Sequence, residues 1–329
     1  MARHVYRWDL DKTYIKTDFD SPVALLRTAL QRPEEKENVP GTAALMRALK
    51  RGPDGTENKV FIISGSPREM RRVLSEKLRL DGVTIDGLEL KPNLQNLLRL
   101  RFRAMRDQLG YKLPVLLESR AQLEPGMLET CFGDDAELDG LIYRLYADIC
   151  EGQVNSAGLG RLLQAANLYP DQVHRILAAT GRLPVGRVVE RVCINLETGS
   201  PTGRFDALGA LVKPTFNAFQ TSLVLYCDGR LAEAGVFAVT DEMRERYGYT
   251  ADRLSSSLQD ALRRALVPRD AVAALVERLG LRLGPELPVR VLEDRPVDYV
   301  ALLADADAWH KERKAGRSPT GLGRLFGGD

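Results

Sequence analysis

The residues best suited to chemistry lie near the start of the chain, in Trp8-Asp9-Leu10-Asp11-Lys12-Thr13. The preceding Val5-Tyr6-Arg7-Trp8 is rich in β-branched and aromatic residues and reads as a short strand, so both carboxylates stand where a strand ends. Open α/β sheets place their chemistry at the carboxyl ends of strands. One carboxylate of an Asp-x-Asp-x-Thr turn can project as a nucleophile. The other, two residues on, can reach a leaving-group oxygen as acid and then as base. Two acids so close repel unless a cation or a proton intervenes, so the spacing implies a bound metal. Alone, the pattern also describes a solvated polar turn; its weight comes from its company along the chain.

That company is two further strand ends. Lys59-Val60-Phe61-Ile62-Ile63 is a continuous apolar run, as in buried parallel strands, and it leads into Ser64-Gly65-Ser66-Pro67-Arg68-Glu69. Ser66 and Glu69 match a capping box, with Pro67 at the first helical position. The same geometry offers backbone N–H groups and the positive end of a helix to an anion, with Ser64 donating to a phosphate oxygen. Met127 to Phe132 is a third strand, followed by Gly133, Asp134 and Asp135, with Asp139 just inside the next helix. A glycine followed by spaced carboxylates suits Mg²⁺, a hard cation that prefers oxygen. Acidic residues there also simply complement a helix dipole.

The elements that must position these groups are mostly helices. Ser21-Pro22 opens one, Gln31 to Asn38 is a loop, and Pro40-Gly41-Thr42 starts another that runs through Leu49. A strand-helix-strand unit of this kind makes the first two strands parallel neighbours. A helix from Pro67 carries Met70, Val73, Leu74 and Leu78. An amphipathic helix from about Pro92 should stop at Gly110, and a separate one should begin at Tyr111-Lys112-Leu113-Pro114, with Lys112 just ahead of it. Arg99, Arg101, Arg103 and Arg106 form a basic cluster, either a solvated face or a rim for anionic head groups. In the second half, two short helices lie between Val154 and Thr180, and Val188 to Leu196 is a weakly alternating strand. The loop Gly199-Ser200-Pro201-Thr202-Gly203 lacks the lysine of a P-loop. Helices follow from Pro214, Thr250 to Leu266, Asp270 to Leu279 and Asp298 to Lys314.

Composition narrows the field. A chain of 329 residues with 44% hydrophobic and 28% charged residues has ample material for a core and exceeds one typical domain. A net charge of +2 gives no global basic field, so no nucleic acid is expected as a partner. The four cysteines have no paired spacing, and the three histidines make histidine-based catalysis a poor reading. With no signal-like or membrane-spanning apolar run, the expected location is cytoplasmic.

Together, Asp-Leu-Asp-Lys-Thr, Ser64, Lys112 and Gly133-Asp134 to Asp139 resemble, in order and strand context, the four motifs of the haloacid dehalogenase-like phosphotransferases. More narrowly, Phe61 to Pro67, Tyr111-Lys112-Leu113 and Gly133 to Tyr143 look like the catalytic domain of the actin-patch-associated phosphatidate phosphatases. The resemblance covers residues 5 to 150. It implies an α/β, Rossmann-like parallel sheet with a minimal cap, and an open site suited to large or surface-bound substrates. By resemblance, Asp9 is the nucleophile forming an aspartyl-phosphate, Asp11 the acid and base, and Thr13 a brace. Ser64, Gly65 and Lys112 hold phosphate oxygens. Asp9, the Asp11 backbone carbonyl and Asp134 ligate Mg²⁺, supported by Asp139 or Asp135. Lys91, also ahead of a helix, rivals Lys112; Lys112 is preferred because only one helix and one strand separate it from Asp134.

The expected organisation is a phosphatase domain at 1–153, a helical extension at 154–183, a mostly helical or α/β C-terminal domain at 184–315 and a disordered tail at 316–329. The expected activity is hydrolysis of phosphomonoesters, led by phosphatidate-like lipid phosphate, with peripheral contact to anionic membrane. The alternatives are a protein or nucleic-acid-end phosphatase, and a non-catalytic module that binds a phosphorylated ligand.

Overall fold

The computed structural model describes residues 3–17, 31–91, 104–136, 138–286 and 296–314. Six strands form one sheet: β1 (Val5–Trp8), β2 (Lys59–Pro67), β3 (Gly87–Lys91), β4 (Glu129–Asp134), β5 (Val189–Asn195) and β6 (Val212–Thr215). Their order is β3-β2-β1-β4-β5-β6, and every pair is parallel. The chain thus runs outward from β1 to one edge, then returns to β4 on the other side of β1. In such sheets the crevice for a ligand lies at this reversal, outside the carboxyl ends of the two central strands. Here those strands are β1 and β4.

Helices cover both faces, as an all-parallel sheet requires. In chain order they are α1 (Thr42–Arg51), α2 (Arg71–Leu80), α3 (Ala104–Arg120), α4 (Asp139–Cys150), α5 (Ser156–Ala165), α6 (Pro170–Thr180), α7 (Ala218–Cys227), α8 (Glu233–Tyr247), α9 (Ala251–Arg263), α10 (Arg269–Arg278) and α11 (Tyr299–Lys314). Alternation along the strands sorts side chains into two cores. Tyr6, Trp8, Val60, Ile62, Leu88 and Leu90 point into one, with α1, α2 and α7 to α10. Ile63, Cys131, Val189, Val192, Ile194 and Val212 point into the other, with α3 to α6 and α11. The α/β, Rossmann-like expectation holds at this level.

The second half is not a domain apart from residue 184. β5 and β6 extend the same sheet beside β4, and α7 to α10 share one core with α1 and α2. The four-residue β6, containing Pro214, is too short and too irregular to announce itself as a strand, and proline is tolerated there because β6 is an edge. The helix expected from Pro214 starts instead at Ala218, capped by the Asn217 side chain on the Gln220 N–H. β3 was not anticipated either; Leu and Lys carry little strand preference, and only its Leu88 and Leu90 are buried.

Two other local expectations fail for physical reasons. Gly110 does not end a helix: α3 passes through both Gly110 and Pro114. A Cβ at Gly110 would come within 2.5 Å of Gln172, so the glycine admits α6. Leu109, Leu113, Leu116 and Leu117, all fully buried, hold the helix together across the proline. Lys112 therefore lies inside α3 rather than ahead of a helix. Ser66 caps nothing, because β2 continues to Pro67 and a short 3₁₀ turn follows at Arg68–Met70. The helix expected after Ser21, the cluster Arg99, Arg101 and Arg103 with the Arg106 side chain, and the tail at 316–329 lie outside the described residues.

Candidate active site at the carboxyl ends of the central strands

Asp9 follows the last residue of β1, and its N–H continues the sheet by donating to the Phe132 carbonyl at 2.8 Å. One residue earlier, the Trp8 ring stacks on Phe132 with centroids 3.9 Å apart, which pins β1 to β4 just below the carboxylate. The chain then makes a tight turn: Tyr14 and Ile15 N–H both donate to the Leu10 carbonyl at 2.9 Å, and Lys12 takes a φ of 60°. That turn folds Thr13 back so that its hydroxyl donates to Asp9 Oδ2 at 3.3 Å. It also sends Asp11 sideways to β2. There Asp11 Oδ2 accepts from both the Ser64 and Ser66 hydroxyls at 2.9 Å. Ser66, read from sequence as a helix cap, is thus a partner of Asp11, and its own N–H donates to Ser64 Oγ.

Lys112 reaches the site from the middle of α3. Its fully buried ammonium donates to Asp9 Oδ1 at 2.8 Å and to Asp139 Oδ1. Asp139, in the first turn of α4, accepts from the Asp134 N–H through its other oxygen at 3.3 Å. This close approach explains Gly133: a Cβ there would lie 2.3 Å from that of Asp139. Carboxylate oxygens of Asp9, Asp134 and Asp139 fall within 4.8 Å of one another, all three residues buried. A buried, all-oxygen set of three carboxylates of this kind could hold a hard divalent cation.

The alternatives left open by sequence separate here. Asp135 is engaged elsewhere: its carboxylate accepts from the Thr198 N–H and hydroxyl and from the Ser200 N–H, each at 2.8 Å. Lys91 ends β3, with its ammonium 5.7 Å from the centre of the Tyr111 ring, whereas Lys112 joins the carboxylates. Gly65 lies in β2 with room for ordinary contact to Gln108, so no steric demand requires a glycine there.

Two contributors were not legible as motifs. Lys36, in the polar segment read as a loop, is buried near Asp11; burial lowers its pKa, and the Asp11 carboxylate opposes that shift. Asn195, the last residue of β5 and the sheet neighbour of Asp134, donates through its side chain to the Lys12 carbonyl at 3.0 Å. Close by, burial raises the Glu197 carboxyl, against the pull of its hydrogen bond from Asn195. Tyr143, wholly buried, has its phenol pushed far up by burial and then by Asp139, so it stays protonated and donates to the Phe132 carbonyl. No family model, curated protein or solved structure matches the chain.

Proposed function

We propose that the protein is a Mg²⁺-dependent phosphomonoester hydrolase that works through an aspartyl-phosphate on Asp9. The observation that carries the reading is the convergence of Asp9, Asp134 and Asp139 with Lys112 at the reversal point of the sheet. Phosphoryl transfer depends chiefly on positioning and on neutralising charge, and a site built from these groups is equipped for both. The residues fit the metal: Asp9, Asp134 and the Asp11 backbone carbonyl would hold it, with Asp139 beside them. When bound, Mg²⁺ would offset charge on the phosphate oxygens.

The remaining work falls to the chain's own residues. Asp9, oriented by Thr13 and Lys112, attacks phosphorus; the bond to the leaving oxygen breaks, and Asp11 supplies its proton. Asp11 then takes a proton from water, whose oxygen attacks the acyl-phosphate, releasing phosphate and restoring Asp9. Ser64 and Ser66 fix Asp11 by gripping a single oxygen of its carboxylate. Lys112, already on the nucleophile, offsets the incoming charge. Within this chemistry the leading substrate is a phosphatidate-like lipid phosphate, on the resemblance of the motifs.

The test is phosphate release from a panel of lipid, peptide, nucleotide, nucleic-acid-end and sugar phosphates, with Mg²⁺ and with chelator. Release that needs Mg²⁺ and is fastest on the lipid supports the full proposal. Mg²⁺-dependent release fastest on another class reassigns the substrate. No release from any of them, with binding retained, would replace the enzyme by a phospho-ligand binding module.

A further inference from the structure

The motifs of the proposed site lie on or just after β1, β2 and β4 and on α3 and α4, but the turn carrying Asp9 and Asp11 is also held from β5. We infer that Asn195 is a positioning residue for this turn and acts through the Lys12 peptide; the inference rests on the activity proposed above.

Lys12 is one of three non-glycine residues with positive φ among those described, and it stands between Asp11 and Thr13. A left-handed conformation is strained for an ordinary residue and persists only where the surroundings hold it. Two bonds do so here: the Lys12 N–H donates to the Ile15 carbonyl at 2.8 Å, and Asn195 Nδ2 donates to the Lys12 carbonyl at 3.0 Å. A cavity of about 20 Å³ opens among Trp8, Thr13, Phe132, Gly133 and Asn195, beside the turn. The direction of the Lys12 peptide decides where its neighbours go: Asp11 outward to Ser64 and Ser66, Thr13 back to Asp9.

Asn195 is itself firmly placed. It pairs with Asp134 in the sheet, and its carbonyl accepts from the Asp135 N–H at 3.1 Å. The Asp135 carboxylate in turn fixes the loop after β5 through Thr198 and Ser200. The residue that borders the metal-suited cluster on one side therefore sets the nucleophile's turn on the other. An error of about 1 Å in such a turn is enough to cost on the order of 100-fold in rate.

The experiment is a double-mutant cycle of Asn195→Ala and Lys12→Gly, with Asn195→Ser as a second variant should alanine fail to fold. Glycine accepts the left-handed conformation without strain, so it removes the need for the Asn195 bond. In the native background, Asn195→Ala should lower kcat for Mg²⁺-dependent phosphate release by about 10- to 100-fold, with little change in KM. In the Lys12→Gly background the same change should cost only a few-fold. Amide hydrogen exchange over residues 10–15 should rise in Asn195→Ala, a readout independent of turnover. An equal loss in both backgrounds, or native kcat with native exchange in Asn195→Ala, would overturn the inference. Should the native protein release no phosphate, the proposed activity fails instead, and exchange alone decides the role of Asn195.

Discussion

β4 carries a buried charge cluster at each end, and the two are built differently. Glu129 opens the strand, wholly buried, and accepts from Arg7, Arg120 and Tyr146; Arg7 also donates to Ser119, and Arg120 to the Met127 carbonyl. There one carboxylate faces two guanidiniums, so the cluster is slightly cationic and closed on itself. Burial alone would draw Arg7 down, but the Glu129 carboxylate outweighs it and holds the guanidinium charged. At the other end of β4, three carboxylates face one lysine, an imbalance of opposite sign and larger size. In the Glu129 cluster each guanidinium is held on the carboxylate by a hydrogen bond, and removing that shared partner would cost several kcal/mol. Three buried carboxylates whose oxygens gather within 4.8 Å of one another offer the donor set of a hard cation, which the Glu129 cluster does not. On the proposed function, the first end of this strand is the structural end and the second the chemical end.

The largest effect should come from the chemical end. Asp9→Asn should reduce phosphate release by at least about 1,000-fold while the denaturation midpoint stays level or rises, since one charge of an anionic surplus is removed. Near-native turnover in that variant would break the covalent role. At the structural end the pattern inverts. Glu129→Gln leaves two buried guanidiniums facing a neutral group and should cost about 3–5 kcal/mol in denaturant unfolding, with the folded fraction still active.

Adding Mg²⁺ sharpens the contrast further. At about 100 times its dissociation constant it should stabilise the protein by about 2.7 kcal/mol, an effect lost in Asp134→Asn and kept in Glu129→Gln. Chelation should stop turnover, and Ca²⁺ should restore it poorly, because the larger ion recruits more oxygens than the octahedral Mg²⁺. Equal response of both variants to Mg²⁺ would place the ion elsewhere.

How much of this was legible follows from where each interaction lies in sequence. Asp9, Asp11, Ser64, Asp134 and Asp139 lie in the last part of, or soon after, strands that their own apolar residues announce, so strand ends could be read and the carboxylates placed near them. Lys112 was found as a residue, but its setting was misread. Gly110 and Pro114 are strong local stop signals, and only the burial of Leu109, Leu113, Leu116 and Leu117 overrides them. Ser66 was read as a cap because a short-range pattern is visible, whereas its bond to Asp11 spans 55 positions and is not. The unity of the sheet was missed for the same reason: β6 is four residues long and earns its place only by pairing with β5. Asn195 carries no motif at all. Its relevance comes from register alone, opposite Asp134 and beneath Lys12.

The smallest effect concerns the start of β1, beside the structural cluster. His4 is buried, shares a hydrogen bond with Thr130, and burial pushes its pKa down to about 3. The unfolded chain takes up the proton near pH 6.5, so stability is fully present above that pH and is lost as pH falls toward 3. At pH 5 the loss should be about 2 kcal/mol. Comparing urea midpoints of the native protein and His4→Gln between pH 7 and pH 5 isolates this contribution. Parallel curves would show that His4 titrates normally.

The central claim, that Asp9 accepts the phosphoryl group, is tested most directly by trapping it. Asp11→Asn removes the base that activates water, so the phosphorylated form should accumulate when this variant meets Mg²⁺ and an aryl phosphate that the native protein turns over, whose acidic leaving group departs without the proton Asp11 supplies. After acid quench, mass spectrometry should find one phosphoryl group on the peptide containing Asp9, labile to hydroxylamine and absent with chelator or in Asp9→Asn/Asp11→Asn. Phosphate release by the native protein, with no phosphoryl group on that peptide in the Asp11→Asn variant or with one that persists when Asp9 is replaced, would contradict the account.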